Sequence, residues 1–87
     1  MDLKRRLSDA LDIPQEIVMN VPSLKVVGDS EIIIENHKGI IEYGKNVVRV
    51  DSNIGIINIK GSDFIIKSIT QDEIELLGKI EVIEYIK

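Results

Sequence analysis

The 87-residue chain has no cysteine and no tryptophan, and it contains only one phenylalanine, two tyrosines and one histidine. Without cysteine there can be no disulfide, no thiolate metal site and no cysteine nucleophile. Such a composition suits a reducing compartment, and a cytoplasmic location is expected. No apolar run approaches the roughly 18 residues that cross a membrane as a helix. Asp9 and Asp12 interrupt the stretch after Lys4-Arg5-Arg6, which argues against a secretory signal. Basic residues are outnumbered 11 to 15, for a net charge of -4. A phosphate-backbone binder gathers Lys and Arg on one face, whereas here only Lys4-Arg5-Arg6 clusters, so no nucleic-acid partner is expected. That cluster also falls short of the roughly 4–8 basic residues typical of an anionic-lipid site, and membrane contact is not expected.

What the chain has instead is isoleucine and valine. Apolar residues make up 44% and charged residues 30%, the balance of a globular protein, and the length suits one domain. β-Branched side chains are stiff and fit a pleated surface, so the composition favours strands. Residues 1–22 read differently. Leu3, Leu7, Ala10 and Leu11 recur at the spacing of one helical face. Asp12 and Gln15 form a capping-box pattern around Pro14, which predicts a second short helix over Ile13–Met19, ended by Val21-Pro22.

From Ser23 to Lys87 the period changes to two. Apolar runs alternate with turn signals at Gly28-Asp29, Lys38-Gly39, Gly44-Lys45-Asn46, Asp51-Ser52-Asn53, Lys60-Gly61-Ser62-Asp63 and Gln71-Asp72. The predicted strands are Leu24–Val27, Glu31–Asn36, Ile40–Tyr43, Val47–Val50, Ile56–Lys60, Phe64–Ile69 and Ile74 to the end. The expected fold is thus mainly β: a small antiparallel β-sandwich of about seven short strands over residues 23–87, preceded by one or two short helices. Along the last strand the apolar phase slips, which predicts a β-bulge or bend near Glu81-Val82. Nearly every strand carries an apolar doublet, such as Ile40-Ile41 or Ile65-Ile66. Neighbouring strand residues face opposite ways, so the outer faces carry apolar groups that either meet a cover or stand exposed.

Motifs for chemistry are scarce. His37 is the single histidine and has no evident nucleophile beside it, while Glu35 lies two residues away on the same predicted strand face. The segment Glu35-Asn36-His37-Lys38-Gly39 reads first as a strand end and turn, with Gly39 at positive φ, and second as a partner-binding loop. The acidic residues Asp72, Glu73, Glu75, Glu81 and Glu84 alternate with apolar ones, as on a solvated strand face, and match no calcium loop. The glycines match neither phosphate-binding pattern. No catalytic, cofactor-binding or metal-ligating residue is assigned.

Two segments carry a family resemblance. Val21-Pro22-Ser23-Leu24-Lys25-Val26-Val27-Gly28 is followed by Ile34-Glu35-Asn36-His37-Lys38-Gly39-Ile40, and later come Gly55-x-Ile57-x-Ile59-x-Gly61, Phe64-x-Ile66 and Ile74-x-Leu76-x-Gly78-x-Ile80. This pattern resembles the YabP/YqfC family of bacterial sporulation proteins over essentially the whole chain. The opening, with Leu11-Asp12-Ile13-Pro14 and Val18-Met19, is closer to the YqfC branch. The resemblance implies a small β-sandwich made during endospore formation in the mother cell, with a part in building the spore envelope, and it supplies no catalytic activity that could be carried over residue by residue. The expected function is that of a non-enzymatic assembly or adaptor factor acting through protein–protein contacts. Its expected partners are another protein, a sporulation membrane protein among the candidates, and a second copy of itself. The alternative is a small binding module for a lipid, glycan or peptidoglycan fragment.

Overall fold

The computed structural model describes residues 20–87. The two helices expected within residues 1–19 lie outside the described residues. Six strands follow: β1 (Ser23–Val27), β2 (Glu31–Glu35), β3 (Gly39–Tyr43), β4 (Val47–Ser52), β5 (Gly55–Ile69) and β6 (Glu73–Ile86). They form a single sheet in the order β1-β2-β6-β5-β4-β3, with every neighbouring pair antiparallel.

The mainly-β, antiparallel expectation holds, but the sandwich of about seven short strands does not. Predicted strands Ile56–Lys60 and Phe64–Ile69 are one 15-residue strand. The intervening Lys60-Gly61-Ser62-Asp63, read as a turn, stays in the ladder: Gly61 pairs with Ile80 and Ser62 with Lys79, after which Asp63 and Phe64 bulge opposite Gly78. Glycine and polar residues serve a bulge as well as a turn. The bulge persists because its backbone groups find partners. The Gly61 N–H donates to the Asn46 carbonyl (3.0 Å), and the Phe64 N–H donates to the Lys45 carbonyl (2.9 Å), both on the β3–β4 turn. The slip expected near Glu81-Val82 is present, since Lys60 pairs with Val82 and Gly61 with Ile80, leaving Glu81 as the extra residue.

These bulges fold the sheet over. In a flat sheet β2 and β4 would stand three strand spacings apart, about 14 Å. Yet Ile32 and Ile34 of β2 share one buried cluster with Val48 and Val50 of β4, Ile57, Ile59 and Phe64 of β5, and Ile74 and Leu76 of β6. One wall of the core is β1, β2 and the facing halves of β6 and β5 (Ile74–Leu77 with Ile65–Ile69); the other is β3, β4 and the remaining halves (Ile56–Lys60 with Val82–Ile86).

The bend is packed tightly around the one phenylalanine. A Cβ on Gly78, whose φ is +145°, would fall 2.6 Å from the Phe64 ring, and one on Gly61 would strike the Lys79 carbonyl and lie 2.9 Å from the same ring. The β1–β2 turn ties down the far side: Gly78 N–H donates to Ser30 O (3.2 Å) and Ile80 N–H to Asp29 O (2.7 Å).

Candidate functional site

The segment Glu35-Asn36-His37-Lys38-Gly39 ends β2, crosses from one wall to the other and begins β3. Asn36 adopts a φ of +61°, a conformation asparagine tolerates better than most residues. Its N–H donates to the Asp72 carbonyl (2.7 Å), and its Nδ2 donates to the Val21 carbonyl (2.8 Å). The Lys38 N–H reaches the Asp51 carbonyl (2.9 Å). Gly39 has a φ of +124°, the positive value expected of it, with open space around its α-carbon.

His37 is bound at both ring nitrogens. The Gly39 N–H donates to Nδ1 (2.9 Å), so Nδ1 is the acceptor; Nε2, 3.2 Å from the Thr70 carbonyl, is then the nitrogen that carries the proton and donates. This neutral tautomer fastens the β2–β3 crossing to the β5–β6 turn. That turn is itself closed by Thr70, whose Oγ1 accepts the N–H of Glu73 (3.0 Å). With both nitrogens on backbone groups, none is left for Glu35, whose side chain is exposed at the end of β2. The five residues therefore knit together β2, β3, the β5–β6 turn and the lead-in to β1. Asn53 adds to this knot, donating from Nδ2 to the Asn20 carbonyl (2.7 Å).

Beside it lies an open cleft of about 650 Å³ lined by His37, Lys38, Gly39, Ile69, Thr70, Gln71 and Asp72. Its volume is ligand-sized, and both ring nitrogens of His37 are already engaged by backbone groups. Among the described residues no group of three or more His, Asp or Glu is placed to hold a metal ion, and no helix is long and apolar enough to cross a membrane.

The second feature lies on the sheet surface. Among the described residues four strand runs have a neighbour on one side only: β1, β3, Ile65–Ile69 of β5 and Val82–Ile86 of β6. Large apolar side chains stand exposed on or beside them: Val26, Val27, Ile41, Tyr43, Ile65 (62% exposed), Ile69, Val82, Tyr85 and Ile86. The doublets of the sequence signalled Ile41 and Ile65, since the partner of each core-facing residue must face outward. The lone neighbours were not visible there, because they depend on strand order.

Across the outside of the second wall runs a polar row, Glu42–Arg49–Asn58–Glu84, one residue from each strand. Asn58 Nδ2 donates to Glu84 Oε1 (2.7 Å), Lys60 Nζ lies 3.3 Å from the same oxygen, and Arg49 and Glu42 approach to 3.8 Å. The Asn58 hydrogen bond, reinforced by Lys60, holds the Glu84 carboxyl below its ordinary range. Asn58 itself is 3% exposed, and its Oδ1 has no hydrogen-bond partner among the described residues.

Comparison with known proteins yields two matches. The YabP family model matches residues 19–87. An uncharacterized protein of Bacillus subtilis (strain 168), YqfC, is 39% identical over 85 residues, covering 98% of this chain and 91% of that protein. No solved structure matches the chain.

Proposed function

We propose that this chain, which belongs to the YabP family, works without catalysis as an assembly or adaptor factor in building the endospore envelope. The observation that carries this reading is the pairing of open strand edges with exposed apolar side chains, above all Ile65 and Ile69 on the last half of β5. An open edge offers unpaired N–H and C=O groups, and exposed apolar residues offer area to bury; together they suit a protein partner. The histidine, by contrast, is spent on holding backbone, so the chemistry of the crossing segment supports architecture. The family resemblance of the sequence is what supports the sporulation setting and the mother-cell cytoplasm in this reading.

The test is affinity purification of the tagged full chain from an endospore-forming host after in-cell cross-linking. A defined protein recovered with the wild type and lost with Ile65→Lys supports the role. Recovery of no protein, with an intact spore envelope in a deletion strain, rejects it. The cleft beside His37 favours the alternative, a binding module for a lipid, glycan or peptidoglycan fragment. Shifts of the His37, Thr70 and Gln71 amide resonances on adding soluble peptidoglycan fragments would select that reading.

A further inference from the structure

Among the described residues, three of the four one-sided strand runs carry the devices that keep an edge from pairing indiscriminately. β1 is preceded by Pro22 and contains Lys25. β3 is interrupted by an irregularity that leaves Ile41 unpaired. The last half of β5 bulges at Lys67, which puts a charge at the break. Within its own length Val82–Ile86 has none of these, the bulge at Glu81 ending just before it. It pairs residue for residue with Lys60 back to Ile56, and contains no bulge, proline or lysine.

The open side of this run is defined by its neighbour. A Cβ on Gly55 would lie 2.5 Å from the Ile86 carbonyl oxygen, so that carbonyl faces β5. Hydrogen-bonding groups of successive residues point to opposite sides of a strand, so Ile83 and Tyr85 direct theirs away from β5. Their side chains lie on the core face, in register with Ile59 and Ile57, and Tyr85 is 47% exposed. Val82, Glu84 and Ile86 alternate with them on the outer face.

A second copy fits this edge poorly. Antiparallel self-pairing that keeps both faces matched must be centred on a residue. The centre that pairs the whole run is Glu84, which would set two carboxylates directly opposite one another, and like charges so placed are destabilising. The Asn58 and Lys60 contacts that depress the Glu84 pKa keep that charge in place. The Glu81–Lys87 pairs of the same register would fall across the bulge at Glu81.

Resting on the assembly role, we infer that Val82–Ile86 takes an added strand from a different protein, an extended segment with Lys or Arg opposite Glu84 and β-branched or aromatic residues on either side. Main-chain groups of Ile83 and Tyr85 supply the pairing, and Glu84 supplies the selectivity.

Selection from a displayed library of random nine-residue peptides against the full chain tests this. The enriched peptides should share a central basic residue flanked by β-branched or aromatic ones. Synthetic copies should bind Glu84→Lys at least tenfold more weakly than wild type, and changing their central residue to Glu should restore binding to that variant. Tyr85→Pro, which removes an outward donor and spares the β5 ladder, should also weaken binding at least tenfold. Circular dichroism checks both folds, and Glu84→Lys decides alone if Tyr85→Pro unfolds. Absence of any enriched peptide, or equal binding by wild type and Glu84→Lys, overturns the inference. So does light scattering that finds a dimer which Glu84→Lys dissolves, because the occupant is then a second copy. Photo-cross-linking groups at Val82 and, separately, at Ile65 in sporulating cells keep the two readings apart. Protein adducts at Ile65 alone overturn the edge and leave the assembly role standing; none at either position removes both.

Discussion

Replacing Gly78 with alanine probes the bend that folds the sheet. Two costs add at this position. The first is backbone strain: a φ of +145° is one that L side chains rarely adopt, and such strain amounts to about 1–3 kcal/mol. The second is overpacking: the new methyl would sit 2.6 Å from Phe64 Cδ1 and 2.9 Å from the Asp63 carbonyl, and displacing well-packed groups costs about 1–3 kcal/mol. Gly78→Ala should therefore lose about 2–6 kcal/mol from a total that is typically about 5–15. With a urea slope near the middle of the usual range, about 2 kcal/mol/M, the midpoint should fall by about 1–3 M. Two controls separate the terms. Gly39 has a φ of +124° but nothing within 4 Å of its Cβ position, so Gly39→Ala carries the strain alone. Gly44 has neither a positive φ nor a contact closer than 3.6 Å, so Gly44→Ala should be neutral or slightly stabilising. The expected order of midpoints is Gly44→Ala highest, then Gly39→Ala, then Gly78→Ala. If Gly78→Ala unfolds at the same urea concentration as Gly44→Ala, the account of the bend is wrong.

Removing residues 1–22 takes away the carbonyls of Asn20 and Val21 that Asn53 and Asn36 hold, together with the segment bearing Leu3, Leu7 and Leu11; thermal melting and solubility of the shortened chain should both fall, and equal values would make that segment a mere tail. His37→Ala leaves the Gly39 N–H and the Thr70 carbonyl without their partner and should cost about 0.5–1.5 kcal/mol, because water reaches these partly exposed groups, with faster amide exchange at Gly39; His37→Gln should abolish no turnover on any substrate tried with the purified chain. Because the Glu84 pKa is lowered from 4.5, its contribution is complete above that value and disappears as the pH falls through the depressed pKa. Melting temperatures of wild type and Glu84→Gln should accordingly differ at pH 6 and converge in strong acid; a gap that persists there would show that the charge is not its source.

The sequence made the strands legible because their inner residues recur with period two and their ends carry glycine, asparagine and aspartate. Even the slip at Glu81 was visible, since an extra residue throws every later side chain to the other face. Lys60-Gly61-Ser62-Asp63 was not legible as strand, because a bulge and a turn recruit the same residue types. What decides between them is Asn46 and Lys45, whose carbonyls sit on a different hairpin. The place of β6 between β2 and β5 was hidden for a similar reason, as pairing Ile34 with Ile74 is settled by tertiary fit. At the crossing segment, the positive φ of Gly39 followed from glycine's freedom. The grip of His37 on Thr70 did not, because nothing local announces a partner 33 residues away.

The path of the chain through the sheet also orders its assembly in time. From β3 to β6 each strand pairs with the one before it, so four strands can zip together through short turns. β2 must instead find β6 across about 40 residues of intervening chain, and closing so long a loop is slow and entropically opposed. The β1–β2 hairpin is thus the natural last arrival and the first part to let go. Until it docks, the buried flank of β6 between Ile74 and Leu77 is itself an unoccupied edge, so a chain caught early has one more sticky side than the finished molecule. The bonds from Asn36 to Asp72 and from His37 to Thr70 latch the end of β2 to the turn that begins β6. In that light the crossing segment acts as the clasp that makes the final step hard to reverse.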